Sequence, residues 1–408
     1  MNDNIIFSKN NEIVFLNGAF AMGYKVELCE KYSLGEKDYI ELNQYWQKAL
    51  RELPLGSIFF KQDVFLKDTV NTGSFSEDTF LQKTTKKYFH NQQTLTHSCY
   101  LFFVLPNNSL SEKNITNPFL KVKKADFLAY DQKINNFIES VTQSVHYINN
   151  IKLQGKNSIQ CRDLLKEDME NYYQLYFNLF ASDSISDRLF KEDHFVIASK
   201  VASMACMLDE NFMPEELSTH QKDRDLSNDK TVFFKNYGDD FTFNLNFSHI
   251  YNQICYIDDP AKAILELKKT NDFLHKSSSF DKQNKYFATL TDQIIEEITV
   301  SNNQRIIRAH NNIIVMANSK EELQKNMGEV VNTFKNMDVK PYIPVGNYLN
   351  AIFNYSFPLF SGHFTQHQLY VTSLDVFCSF INNCTSYKND QKGIVYNWGQ
   401  PYKSTIFI

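Results

Sequence analysis

Glycine is scarce, with 12 residues in 408, under half the usual ~7%. Phosphate-cradling loops need glycine where the backbone must approach a ligand, so few stretches could supply one. The pattern G-x-x-x-x-G-K-[ST] occurs nowhere in the sequence, which excludes the common nucleoside-triphosphate loop within this stretch of chain. Positive charge is not in excess either: the formal net charge is −5, so no general pull toward nucleic acid is expected. No apolar run approaches the ~20 residues of a membrane-spanning helix. The opening MNDNIIFSKNNEI lacks the basic-then-apolar layout of a signal peptide. Together these absences predict a soluble chain with no direct nucleic-acid binding.

Aromatic residues, by contrast, are plentiful: 35 Phe and 22 Tyr predict an aromatic-rich core. A chain of 408 residues is long enough for two or more domains. Seven cysteines, Cys29, Cys99, Cys161, Cys206, Cys255, Cys378 and Cys384, are odd in number, widely spread and mostly set in apolar runs. That pattern fits reduced, buried thiols in a cytosolic protein.

Periodicity predicts an α+β (α/β) chain of two subdomains, with helices packed on small mixed sheets. Residues 1–155 form the first. Two short strands, 12–16 and 24–28, lie around Gly18 and Gly23 as a hairpin or meander. A helix over 36–53 shows Tyr39, Leu42, Trp46, Ala49, Leu50 and Leu53 on one face. A strand over 57–66, a helix over 76–90 and a strand over 97–105 follow. A long helix over 125–149 is striped by Phe127, Ile134, Phe137, Ile138, Val141, Val145 and Ile148.

Residues 156–347 form the second subdomain. A helix spans 162–180 and a strand 195–207. The polar run DENFMPEELSTHQKDRDLSNDK over 209–230 reads as a mobile loop, and 231–245 as a hairpin around Gly238. The span 248–334 is the most regular: strand, helix, helix, strand, helix, with Pro260 opening the first helix and Ser319 capping the third. Its two strands are expected to be adjacent and parallel. Residues 348–408 read as a connector, with a helix over 365–382 and strands over 393–397 and 402–408. The sequence stops inside STIFI, an apolar run with no turn after it, so more chain is expected beyond Ile408.

Four groups could carry chemistry. Asp258 and Asp259 end an apolar strand, as the magnesium-holding acids of nucleoside triphosphatases do. No glycine loop precedes them, and GQPYKST at 399–405 has the wrong glycine spacing and a proline where an N–H is needed. The competing reading is a strand end whose acids favour a helix N-terminus. His363 and His367 stand four apart, with Cys378 and Cys384 nearby, as a mixed metal site would require. Phe364 occupies the place where a zincin has glutamate, and ordinary turn and core residues explain the same spacing. His97 and Cys99 share a strand face and could form a nucleophile pair, or simply pack. Lys83, Lys86 and Lys87, with Lys121, Lys123 and Lys124, form basic clusters that solvated faces also explain. Weighed in this way, no residue is assigned as catalytic, cofactor-binding or metal-ligating.

Taken in order, the stretches YWQKALRELPLGSIFFKQDVFLKD, THSCYLFF, FSHIYNQICYIDD, RAHNNIIVMANSKEEL and SLDVFCSFINNCTSYK resemble the N-terminal half of TraG-family conjugation ATPases of type IV secretion. The resemblance covers nearly the whole chain, and no single motif carries it. It implies a non-catalytic assembly region, with ATP and magnesium used only by a RecA-like ATPase domain following it. It further implies a homo-oligomer docking onto inner-membrane components of the secretion channel, cytoplasmic and peripheral to that membrane. The alternatives are a stand-alone metal-dependent enzyme built on His363 and His367, or a stand-alone adaptor.

Overall fold

The computed structural model describes residues 5–7, 11–15, 19–31, 33–69, 79–106, 124–153, 159–181, 187–209, 213–214, 217–224, 227–228, 230–279, 282–300, 305–385, 395–396 and 406–407. The strands in chain order are β1 (Ile5–Phe7), β2 (Glu12–Phe15), β3 (Phe20–Glu27), β4 (Cys29–Glu30), β5 (Ile58–Thr69), β6 (Gln93–Leu105), β7 (Gln160–Asp163), β8 (Arg188–Phe190) and β9 (Phe195–Ile197). They continue as β10 (Lys200–Met207), β11 (Gln221–Lys222), β12 (Phe234–Lys235), β13 (His249–Tyr256), β14 (Ile306–Ala317), β15 (Tyr370–Ser373), β16 (Cys384–Thr385), β17 (Val395–Tyr396) and β18 (Ile406–Phe407). The helices are α1 (Glu36–Arg51), α2 (Phe80–Phe89), α3 (Lys124–Asn149), α4 (Lys166–Phe177), α5 (Pro260–Ser277), α6 (Lys282–Val300), α7 (Lys320–Asn336), α8 (Gly346–Tyr355) and α9 (Leu374–Ser379).

The expected α+β architecture is present, and its largest part is one 12-stranded sheet in the order β1-β2-β3-β6-β5-β13-β14-β10-β9-β8, with β7 beside β3 and β15 beside β14. The border at 155/156 falls inside this sheet: β5 pairs with β13 from Ile58↔Tyr256 to Phe65↔His249. The border at 347/348 falls inside α8, whose Leu349, Ile352 and Phe353 are buried in the core.

Helices cover both faces of the sheet. On one, Leu42 and Trp46 of α1, Phe137 and Val141 of α3, Val330 and Phe334 of α7 and Phe377 of α9 meet Phe59, Phe65, Phe103 and Tyr251 of the strands. On the other, Tyr172 and Tyr176 of α4 and Phe353 of α8 meet Phe60, Phe102, Ile250 and Ile314. Side chains alternate across a strand, so a sheet covered on both faces needs strands apolar on both. That accounts for apolar residues on both faces of β6, β13 and β14. Phe127, in the expected stripe of α3, lies outside the described side chains.

Several expectations are corrected. Strands β13 and β14 are adjacent but antiparallel, with His249 opposite Val315 and Tyr256 opposite Arg308. A single helical crossover returns the chain to the far end of the sheet. Here α5 runs out and α6 runs back as a hairpin, so the chain re-enters at the end it left and the next strand must run in reverse. The strand expected over 195–207 is a tight hairpin of β9 and β10, turning at Ala198, whose φ is 52°.

The hairpin expected around Gly238 is a 3-10 turn over Tyr237–Phe241. Gly238 packs so closely on the chain that an added Cβ would collide with the Phe380 carbonyl. Where the 209–230 segment is described, β11 pairs with β12, and His220 meets Glu36 at 3.1 Å. The helix expected over 365–382 is instead a 3-10 turn, the strand β15 and the short α9. Its Gln368 side chain accepts the Thr365 N–H at 2.8 Å, which closes that turn.

Candidate functional site

Three central strands carry polar pairs in the middle of apolar runs: Lys61-Gln62-Asp63 in β5, Asn252-Gln253 in β13 and Asn311-Asn312 in β14. The register aligns them, Gln62↔Asn252↔Asn312 and Lys61↔Gln253↔Asn311. A belt of buried polar groups therefore crosses the sheet, with one half on each face. On the α4 side, Tyr172 Oη donates to Gln62 at 2.6 Å, Gln62 to Asn252 at 2.7 Å, Asn252 to Asn312 at 2.8 Å and Asn312 to Ser356 at 2.8 Å.

The other half holds charge. Asp63 Oδ2 receives Lys61 Nζ at 2.5 Å and Gln253 Nε2 at 2.7 Å, and Oδ1 receives His97 Nε2 at 2.9 Å and Asn382 Nδ2 at 3.0 Å. The segment after α9 closes over the cluster: the Asn382 N–H reaches Gln253 Oε1 at 3.1 Å, and Thr385 Oγ1 lies 3.0 Å from His97 Nδ1. Burial alone would push Asp63 up, but the Lys61 ammonium, with His97 and Gln253 donating, holds it well below the usual carboxylate range. Burial likewise works against the Lys61 charge, and Asp63 more than restores it. His97 is held down by burial, so it stands neutral. Because Asp63 only accepts, Nε2 carries the proton and Nδ1 accepts from Thr385.

His97 and Cys99 do fall on the same strand face beside Asp63, as the alternation predicts. The Cys99 thiol, however, is driven well up by burial and by the Asp63 charge, the reverse of the activation a nucleophile needs. Side-chain exposure in the cluster is 2% for His97 and 0% for Lys61 and Asp63. This geometry serves the register of the sheet: a one-residue slip would carry every charge to the other face.

The strand-end acids have structural partners. Asp259 caps α5, accepting the Ala261 N–H at 3.0 Å, and Asp258 meets Arg308 at 3.3 Å. His363 ends one 3-10 turn and His367 lies in the next, with Phe364 and Thr365 extended between them, so the helical face that would align them does not form. Among the described residues no group of three His, Cys, Asp or Glu side chains could hold a metal ion. Cys378 and Cys384 are buried, and burial drives both thiols well up. Lys83, Lys86 and Lys87 lie on α2. Lys121 and Lys123, the side chain of Lys124, and 399–405 lie outside the described residues. No described helix is long and apolar enough to cross a membrane.

Sequence reading missed Lys61, Asp63 and Gln253. The signal was present: a polar pair or triplet at the centre of each of three apolar strands costs several kcal/mol unless the groups find each other. It missed a surface groove altogether. Between the exit of β10 and β15 the surface opens into about 570 Å³ walled by Asp209, Arg308, Lys340, Tyr342, His367 and Val371. Arg308, Lys340 and His367 come from distant parts of the chain, so no local motif marks this groove.

Comparison with protein-family models and with curated proteins gives no match to this chain.

Proposed function

We propose that the chain is the non-catalytic N-terminal part of a TraG-like conjugative-transfer ATPase, an assembly and docking region of type IV secretion. It supplies subunit contacts in a homo-oligomer and contacts to inner-membrane channel components, on the cytoplasmic side. ATP and magnesium belong to a RecA-like domain encoded downstream.

The observation that carries this reading is where the five resembling stretches lie. They supply α1 with β5, then β6, β13, β14 and α9, and those four strands are consecutive in the sheet, β6-β5-β13-β14. The stretches thus form one spatial unit rather than scattered likenesses. The engagement of Asp259 as a helix cap and Asp258 with Arg308 also favours scaffold over nucleotide chemistry.

Reading the DNA downstream of the Ile408 codon tests this. An open frame encoding G-x-x-x-x-G-K-[ST] between a strand and a helix is expected. A stop codon there would contradict the reading and leave a stand-alone adaptor.

A further inference from the structure

Helix α2 is amphipathic in the wrong sense for a globular protein. At about 100° per residue, Phe80, Leu81, Thr84, Lys87 and Tyr88 fall within roughly a third of its circumference. That third faces outward: Phe80 is 82% exposed, Leu81 60% and Tyr88 57%, while Phe89 on the opposite side is buried. A capping box at Thr79 and Gln82 holds the first turn, with Thr79 Oγ1 accepting the Gln82 N–H at 3.2 Å. The exposed face is therefore a property of a well-started helix.

The helix adjoins an extension of two paired strands. Strands β5 and β6 stay paired from Leu66↔Thr96 to Thr69↔Gln93. The pairing of β13 with β5 stops at Phe65, and that of β3 with β6 stops at Cys99. The last residues of β5 and the first of β6 thus form a two-stranded arm beside α2.

Charge says what covers this face. In a chain of net charge −5, Phe80–Phe89 holds three lysines and no carboxylate, and Lys83 and Lys87 are exposed beside the apolar strip. We propose that α2 lies flat on an anionic phospholipid bilayer, with Phe80 and Leu81 among the upper acyl chains. Tyr88 sits at headgroup level, and the lysines meet lipid phosphates. The helix has no arginine fork for discrete phosphate or carboxylate recognition, and its strip is convex rather than set in a groove. Both features favour a lipid surface over a nucleic acid or an acidic protein. The inference goes beyond the docking reading, which concerns protein contacts.

The test is flotation of the full chain with vesicles of phosphatidylglycerol and phosphatidylcholine, against vesicles of phosphatidylcholine alone. Binding to the anionic vesicles is expected, weakening as salt rises. Each lysine is worth about fivefold near an anionic surface, so Lys83→Gln with Lys87→Gln should lower binding roughly 25-fold. The triple variant Phe80→Ser, Leu81→Ser, Tyr88→Ser should lose it. These side chains are exposed, so thermal unfolding should match the parent and show that each variant folds. No retention on anionic vesicles would overturn the proposal, as would equal retention on neutral ones or binding that both variants keep. So would capture by an oligonucleotide or an acidic polypeptide in place of lipid. The flotation contains only lipid and this chain, the polyanions being offered in a separate pull-down, so its failure leaves protein docking standing.

Discussion

Asp63 is the residue on which the centre of the sheet depends, because its two oxygens gather Lys61, Gln253, His97 and Asn382. Asp63→Ala would leave the Lys61 ammonium buried without its counter-charge, at a cost of about 3–5 kcal/mol. Removing both charges with Lys61→Met and Asp63→Leu should cost clearly less than the two single changes summed. Urea denaturation of the four proteins measures this; additive losses would show that the pair does not act as a unit.

His97, His249 and His310, whose rings burial holds neutral, set the response to acid. Burial holds His249 and His310 down to about 4, and holds His97 down as well. Unfolded, each binds a proton near pH 6.5 that the native state refuses, so their contribution is complete above pH 6.5. It is lost as pH falls toward 4, at about 1.4 kcal/mol per unit for each of His249 and His310, with His97 acting in the same direction. Asp239 works in the opposite direction, since burial raises it to about 6 and its native form gains a proton in the same window. The histidines outnumber it, so stability should fall steadily from pH 6.5 to 4.5. A flat profile of denaturation midpoints would contradict their burial as neutral rings.

At the level of elements, two positions show how local backbone demands act. Ala198 takes a left-handed φ of 52° in the β9–β10 turn, a region that costs a non-glycine residue about 1–2 kcal/mol. Ala198→Gly should therefore stabilise the protein by about 0.5–1 kcal/mol, after the extra freedom glycine has when unfolded. Gly238→Ala should do the reverse, since its Cβ would meet the Phe380 carbonyl, with a cost of about 1–3 kcal/mol. Thermal unfolding of the two variants should shift in opposite directions.

Among its described side chains, the α5–α6 hairpin buries few. Asn271 and Ala288 are its buried side chains among those described, and Asn271 with His275 grips Asp292 at 2.6 and 2.9 Å. Replacing 260–300 by a short turn should leave β13 and β14 paired and unfolding cooperative. Loss of cooperative unfolding would show that the hairpin supports the sheet.

Across the whole molecule, many local elements were legible, though not the β9–β10 hairpin or the breaks within 365–382, and the assembly was not. The stripe of α1 and the apolar runs of β6, β13 and β14 follow from period alone, because those residues answer to one buried face or two. The direction of β14 was misread because the parallel rule presumes one crossing helix, and α5 with α6 cancel each other's travel. The continuity of the sheet from β1 to β8 is set by the β5–β13 pairing, a contact between residues about 190 apart in sequence that no local pattern announces. The polar belt could have been found from FKQD, YNQI and HNNI, since buried polar pairs on neighbouring strands must satisfy one another. The groove holding His367 could not, because Arg308, Lys340 and His367 come from three separated segments.

The proposed assembly role, in which Asp258 and Asp259 serve structure, predicts that residues 1–408 do not turn over nucleotide. The most direct measurement is phosphate release from magnesium ATP by the purified chain of residues 1–408, with a non-nucleotide phosphoanhydride as control. Release at the buffer rate is expected. Saturable, nucleotide-specific hydrolysis that follows the protein through purification would contradict it.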